Sequence, residues 1–166
     1  LMKDLHSGRM SFHVVSVVTL AVTLVLHVHA KSVYLTTLIQ VLKINLLQMD
    51  LLWADPKANC AEAARKMREM DAADVYVLPE MFSTGFATVP EGIAEDWQND
   101  TCPSHQWMLA MARELDAAVV GSIAVREQDG RYFNRMCFVR PDGETTLYDK
   151  HHLFTFGGEH LRYTAG

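Results

Sequence analysis

Residues 43–80, KINLLQMDLLWADPKANCAEAARKMREMDAADVYVLPE, decide the fold. The first part, residues 43–53, is a short apolar run that ends at a turn and reads as a buried strand. Asp55 and Pro56 then supply a helix N-cap and a proline suited to the first helical turn. Over residues 57–73, Cys60, Ala64, Met67 and Met70 or Asp71 recur at spacings of three and four, so one stripe of a helix is apolar and packs on a sheet. VYVLP (75–79) reads as a second strand and delivers Glu80 at its end. Strand, helix and strand in direct succession predict the α/β class.

Toward the C-terminus, residues 81–100 contain Gly85, Pro90 and Gly92 with little periodicity, and read as a long loop of the kind that carries function. A helix is predicted from a cap near Thr101 or Ser104 to Leu115, with Trp107, Leu109 or Ala110, Met111 and Leu115 facing inward. Three strand-like runs follow at residues 117–126, 131–140 and 144–154. They are separated by Asp129-Gly130 and Pro141-Asp142-Gly143, both strong turn signals. The order β-α-β-α-β-β-β places Glu80 and Lys150 at carboxyl ends of strands, where open α/β sheets form their ligand crevices. Taken alone, a glutamate or lysine at a wet strand end is most often a solvated surface residue.

Toward the N-terminus the texture changes. The 166 residues include 20 acids and 15 bases, a net charge of -5, with 49% hydrophobic residues. Residues 1–42 hold one acid, Asp4, and three bases, Lys3, Arg9 and Lys31, whereas residues 43–166 hold the other 19 acids and 12 bases. The larger, acidic part lacks the clustered Lys and Arg that binding to nucleic acid requires, so no nucleic-acid partner is expected. Residues 14–26, VVSVVTLAVTLVL, form an apolar stretch of signal-peptide length, with Lys3 and Arg9 before it and Val28-His29-Ala30 as a cleavage pattern after it. The stretch is short for a membrane span, which takes about 20 apolar residues. Its Val and Thr content equally suits a buried strand, and the start at Leu1 suits translated sequence alien to the domain. Residues 1–42 are therefore expected to be an apolar leader of doubtful membership, and residues 43–166 the domain. Cys60, Cys102 and Cys137 are odd in number and widely spaced, which argues against a disulfide framework or a metal site. They favour a reducing, cytoplasmic setting; a genuine leader would instead imply export or anchoring.

Two stretches, VLPEMFSTGF (77–86) and YDKHHLF (148–154), resemble signature motifs of the nitrilase, or carbon-nitrogen hydrolase, superfamily. The resemblance runs from Lys43 to Gly166 and includes the turn sequences and the Tyr132 and Asn134 hairpin. GEHLRYTAG (158–166) is similar to the branch containing omega-amidases, which release ammonia from omega-amides of 2-oxo dicarboxylic acids. The resemblance implies the N-terminal half of an α-β-β-α sandwich and hydrolysis of a small amide by a Glu-Lys-Cys mechanism. Glu80 would be the general base, and Lys150 would stabilise the tetrahedral intermediate. Glu159 would hold the lysine and substrate in register. Phe82 and Phe86 would wall the acyl pocket, and His152 would hydrogen-bond backbone near the site. No cofactor or metal is implied, and relatives commonly form homo-oligomers.

The family's nucleophile is a cysteine at a strand-to-helix elbow some dozens of residues beyond the lysine. Cys60 falls on a predicted helix, Cys102 before a helix and Cys137 within a strand. The expectation is a partial domain, inactive alone as an amidase, whose uncovered apolar sheet face makes it aggregation-prone or partner-dependent. Two other readings stay open: a non-catalytic half-domain used for binding or oligomerisation, and a part of a membrane-linked N-acyltransferase.

Overall fold

The structure, a computed structural model, describes residues 41–97 and 102–166. The apolar stretch 14–26, nearly all of the leader reading and the cap at Thr101 lie outside the described residues. Among the described residues, no helix is long and apolar enough to cross a membrane.

Six strands form one mixed sheet: β1 (Ile44–Leu46), β2 (Val75–Val77), β3 (Glu95–Asp96), β4 (Ala118–Arg126), β5 (Tyr132–Val139) and β6 (Thr145–Asp149). The order across the sheet is β1-β2-β4-β5-β6, with β3 pairing β4 off this path. β1, β2 and β4 are parallel, as the intervening helix demands, whereas β5 and β6 follow by antiparallel hairpins. Two antiparallel steps return β6 to the direction of β2, which brings the carboxyl ends of those two strands to the same end of the sheet. At the hairpin turns Gly130 and Gly143 have φ of 82° and 90°, which an L side chain rarely adopts.

Among the described residues, two helices cover one face. In α1 (Pro56–Glu69) Asp55 caps the first turn by accepting from the Ala58 amide at 3.0 Å, and Pro56 occupies the first turn as expected. Its buried residues are Asn59, Ala63, Ala64 and Met67, so the true stripe is rotated slightly from the predicted one and Cys60 sits at its margin. In α2 (Pro103–Leu115) Met108, Met111 and Ala112 are buried, while Trp107, Leu109 and Leu115 pack against the core from its edge. Ser104 lies inside this helix instead of capping it. Glu95 caps the helix from outside, accepting from the Ser104 amide at 2.9 Å and from the Cys102 thiol at 2.9 Å. Each fully buried methionine on these stripes contributes about 2 kcal/mol of apolar burial.

Among the described residues, no helix covers the other face of the sheet. By strand alternation it presents Ile44 and Leu46, Val75 and Val77, Val120, Met136 and Phe138, and Tyr148. Leu46 is 66% exposed and Tyr148 54%. Residues 43–53 therefore do not form the buried strand expected of them. Only Ile44–Leu46 pair, at the sheet edge and with one side open, and the chain then bends away toward α1.

Candidate active site

The segment leaving β2 stays tethered to β4. The Leu78 amide donates to the Val120 carbonyl at 2.7 Å, the Met81 amide to Ser122 Oγ at 2.9 Å, and the Phe82 amide to the Ser122 carbonyl at 3.2 Å. Gly121 makes the close approach possible, since a Cβ there would meet the Phe82 ring at 3.0 Å and Leu78 at 3.1 Å. Met81, fully buried, has φ of 48° in the left-handed region, a conformation that costs a non-glycine residue about 1 kcal/mol or more. This kink turns the chain immediately after Glu80 and presents that carboxylate at the end of the open face.

Lys150 arrives at the same place from the end of β6. Its amide donates to the Asn134 carbonyl at 2.9 Å, continuing the β5–β6 ladder by one residue. Next to it, Asp149 accepts two hydrogen bonds from Arg135, at 2.7 and 2.8 Å. The Arg135 side chain is 8% exposed, also pairs with Glu127 at 2.6 Å, and lies 4.8 Å from the centre of the Trp97 ring. This buried arginine fixes the strand end that carries Lys150, and the sequence reading passed over it.

The charged centre consists of Glu80, Lys150, Glu159 and Asn134. Lys150 Nζ donates to Glu80 Oε1 at 2.9 Å and to Glu159 Oε2 at 2.9 Å. Asn134 Nδ2 reaches Oε1 of Glu80 at 2.8 Å and Oε1 of Glu159 at 3.1 Å. Glu159 belongs to a 3-10 turn (Glu159–Leu161), and its Oε2 also accepts from the Phe154 amide at 2.6 Å. The two carboxylates differ sharply in setting, because the Glu80 side chain is 50% exposed and that of Glu159 is 0% exposed. Burial works to raise the Glu159 pKa, but hydrogen bonds from Phe154, Lys150 and Asn134 outweigh it and hold the carboxyl below its ordinary value. For Lys150, partial burial favours the neutral amine, yet the hydrogen bonds to Glu159 and Glu80 prevail and raise its pKa.

Glu80 and Lys150 line two cavities. One, about 330 Å³, follows the open sheet face past Val120, Met136 and Tyr148. The other, about 480 Å³, is bounded by Phe86, His152, Leu153 and Phe154. Phe86 lines the second cavity, with its ring centre 5.1 Å from Lys150 Nζ. Phe82 does not wall either cavity: it is fully buried and packs on Trp107 with ring centres 5.3 Å apart, because the kink at Met81 sends it to the helical side. His152 lines the second cavity but is exposed and stacks edge-on against His151. The backbone hydrogen bond expected of His152 is made by His151, to the Gly166 carbonyl.

All three cysteines lie among the described residues as free thiols. Burial pushes Cys60 and Cys137 up to about 12 and raises Cys102 as well. None lines the cavities beside Glu80. Cys137 alternates with Asn134 and Met136 and so faces the helices. Among the described residues, no group of His, Cys, Asp and Glu is arranged to hold a metal ion.

A mixed sheet whose strand ends bring Glu80 and Lys150 together, with Glu159 joining them from a 3-10 turn, defines a protein of the nitrilase fold. Residues 43–165 match the carbon-nitrogen hydrolase family, and the chain belongs to that family. It is 42% identical to an omega-amidase, YafV, of Escherichia coli K12 over 125 residues, 75% of this chain and 47% of that protein. It is 34% identical to a 2-oxoglutaramate amidase of Bacillus subtilis 168 over 128 residues, 74% of this chain and 48% of that protein. The chain spans about half the length of the curated relatives it matches. Among solved structures, XC1258 of Xanthomonas campestris, a CN-hydrolase superfamily protein with an arsenic adduct in its active site, aligns with a TM-score of 0.69 and 38% identity over 75% of this chain and 46% of that one. Saccharomyces cerevisiae Nit3, of the nitrilase superfamily, shares the fold at a TM-score of 0.64 and 24% identity over 75% of this chain and 48% of that one.

Proposed function

We propose that residues 43–166 supply the acid-base half of an enzyme that hydrolyses the carbon-nitrogen bond of a small amide, an omega-amide of a 2-oxo acid. The observation that carries this is the Lys150 ammonium held at 2.9 Å by two carboxylates, one sealed in the protein and one half exposed beside open cavities. Amide hydrolysis needs a nucleophile, a base that takes its proton and returns it to the leaving nitrogen, and positive charge where the oxyanion develops. Glu80 fits the base, since a half-exposed carboxylate can meet a reacting group. Lys150 fits the electrostatic partner, and Glu159 keeps it in place. The similarity to an omega-amidase and a 2-oxoglutaramate amidase supports the substrate class.

The thiol that such a mechanism uses is not one of the three in this chain, since each is buried or half-buried with a raised pKa and none borders the cavities. The 166-residue polypeptide alone is therefore inactive as an amidase. Free thiols favour a reducing compartment, so the reading is of a cytoplasmic protein. A second reading, a non-catalytic binding or oligomerisation module, draws on the open apolar face with Leu46, Met136 and Tyr148.

A chimaera tests the enzymatic reading: residues 43–165 replace the matching segment of the Escherichia coli omega-amidase. Ammonia release from 2-oxoglutaramate, and not from amides lacking the 2-oxo acid group, is expected. A folded chimaera without activity would favour the binding module.

A further inference from the structure

Asn134 is buried, 3% exposed, between the two carboxylates. A primary amide nitrogen has two N–H bonds, and here both go to carboxylate oxygens, Oε1 of Glu80 and Oε1 of Glu159. The reverse orientation would set the amide oxygen against two anions, so charge fixes which atom faces them. The backbone carbonyl of Asn134 meanwhile accepts from the backbone amide of Lys150, tying the lysine to the same residue. Oε1 of Glu80 thus receives two donors, Asn134 Nδ2 at 2.8 Å and Lys150 Nζ at 2.9 Å. Among the described residues, Oε2 of Glu80 receives none.

We propose that Asn134 is a positioning residue which, with Lys150, saturates Oε1 of Glu80 and so assigns proton transfer to Oε2. The inference rests on the reading of Glu80 as the general base. A proton leaving the nucleophile bonds to Oε2 and makes a neutral carboxylic acid, while Oε1 keeps both of its donors. The same proton then passes from Oε2 to the departing nitrogen, and the carboxylate is restored. Protonation at Oε1 would instead expel Asn134 or Lys150 and break the centre at each turnover. The other titratable groups around Glu80 are Glu159 across Lys150, His152 in the following loop and Tyr148 on β6.

The experiment is an NMR titration of the full 166-residue chain, following the Asn134 side-chain amide and the Glu80 and Glu159 carboxyl carbons. The two Nδ2 protons are expected to keep their hydrogen-bonded shifts and slow exchange after Glu80 takes up its proton. Their collapse to free-amide positions as Glu80 protonates would overturn the proposal. In Asn134→Ala the titration midpoint of the Glu159 carboxyl is expected to rise, because a hydrogen bond to its charged form is lost. An unchanged midpoint in that variant would also overturn it. The wild-type measurement stands if the variant does not fold. Neither reading depends on amide turnover, so failure here is distinct from failure of Glu80 as a base, which ammonia release reports.

Discussion

Glu159, whose side chain is wholly buried, holds the ammonium of Lys150 at 2.9 Å. A buried carboxylate facing a three-quarters-buried lysine makes sense only if the pair is also hydrogen-bonded elsewhere, and Phe154 and Asn134 provide those bonds. Glu159→Ala leaves the lysine with Glu80 alone and strands the Phe154 amide. Urea unfolding should show a loss of about 3 kcal/mol, the lower end for a broken buried pair. A loss below about 1 kcal/mol would mean that the pair is effectively solvated.

The same carboxyl sets an acid limit on stability. Its pKa is lower in the folded chain than the ordinary glutamate value of 4.5, despite burial. The stabilisation is thus present above about pH 4.5 and is lost as pH falls through the folded value. Lys150, raised above 10.5, contributes in the opposite sense: its share is complete below that value and disappears as pH rises through the folded one. Unfolding free energies measured from about pH 7 down to about pH 3 should fall less steeply in Glu159→Gln than in the parent chain. Equal slopes would contradict the assignment.

The strand-end positions of Glu80 and Lys150 were legible, because a glutamate after VLP and a lysine after YD stand there whatever the rest of the chain does, whereas Glu159 lies in a 3-10 turn and was marked only by its motif. The succession of elements along the chain was legible except for β3, which lies inside the stretch 81–100 read as a loop, and both hairpin turns were legible because Gly130 and Gly143 mark them locally. Asn134 and Arg135 were not legible as parts of the site. Both sit inside a strand, where alternation sends one to the open face and the other to the helical face, and Asn134 meets Glu80 across 54 residues of sequence. Phe82 was misplaced because the positive φ of Met81 reverses the direction of the chain, and a methionine gives no sign of such a turn. The exposure of β1 escaped notice because an apolar run does not state whether both of its faces are covered.

Arg135 offers a stability test away from the charged centre. Arg135→Ala would leave Asp149 and Glu127 without their shared cation, and should lower stability by about 3–5 kcal/mol in urea unfolding. Arg135→Lys should recover little of this, since an ammonium cannot form the paired hydrogen bonds to Asp149 or stack on Trp97. Full recovery in the lysine variant would show that charge alone matters.

The thiols give a chemical check that none of the three is a reactive nucleophile. With Cys60 and Cys137 pushed up to about 12 and Cys102 raised, none is a thiolate at neutral pH. A disulfide reagent at about pH 8 should modify the native chain slowly and all three cysteines promptly in urea. Rapid labelling of one native thiol would identify a reactive cysteine where none is expected.

The most direct test is the rate of ammonia release from 2-oxoglutaramate by the chimaera carrying residues 43–165, with and without Glu80→Gln. Glutamine preserves the size of the side chain but cannot take a proton, so kcat/KM should fall by about 100-fold or more while the melting temperature stays within a few degrees. Undiminished turnover by the folded Glu80→Gln chimaera would contradict the assignment of Glu80 as the base.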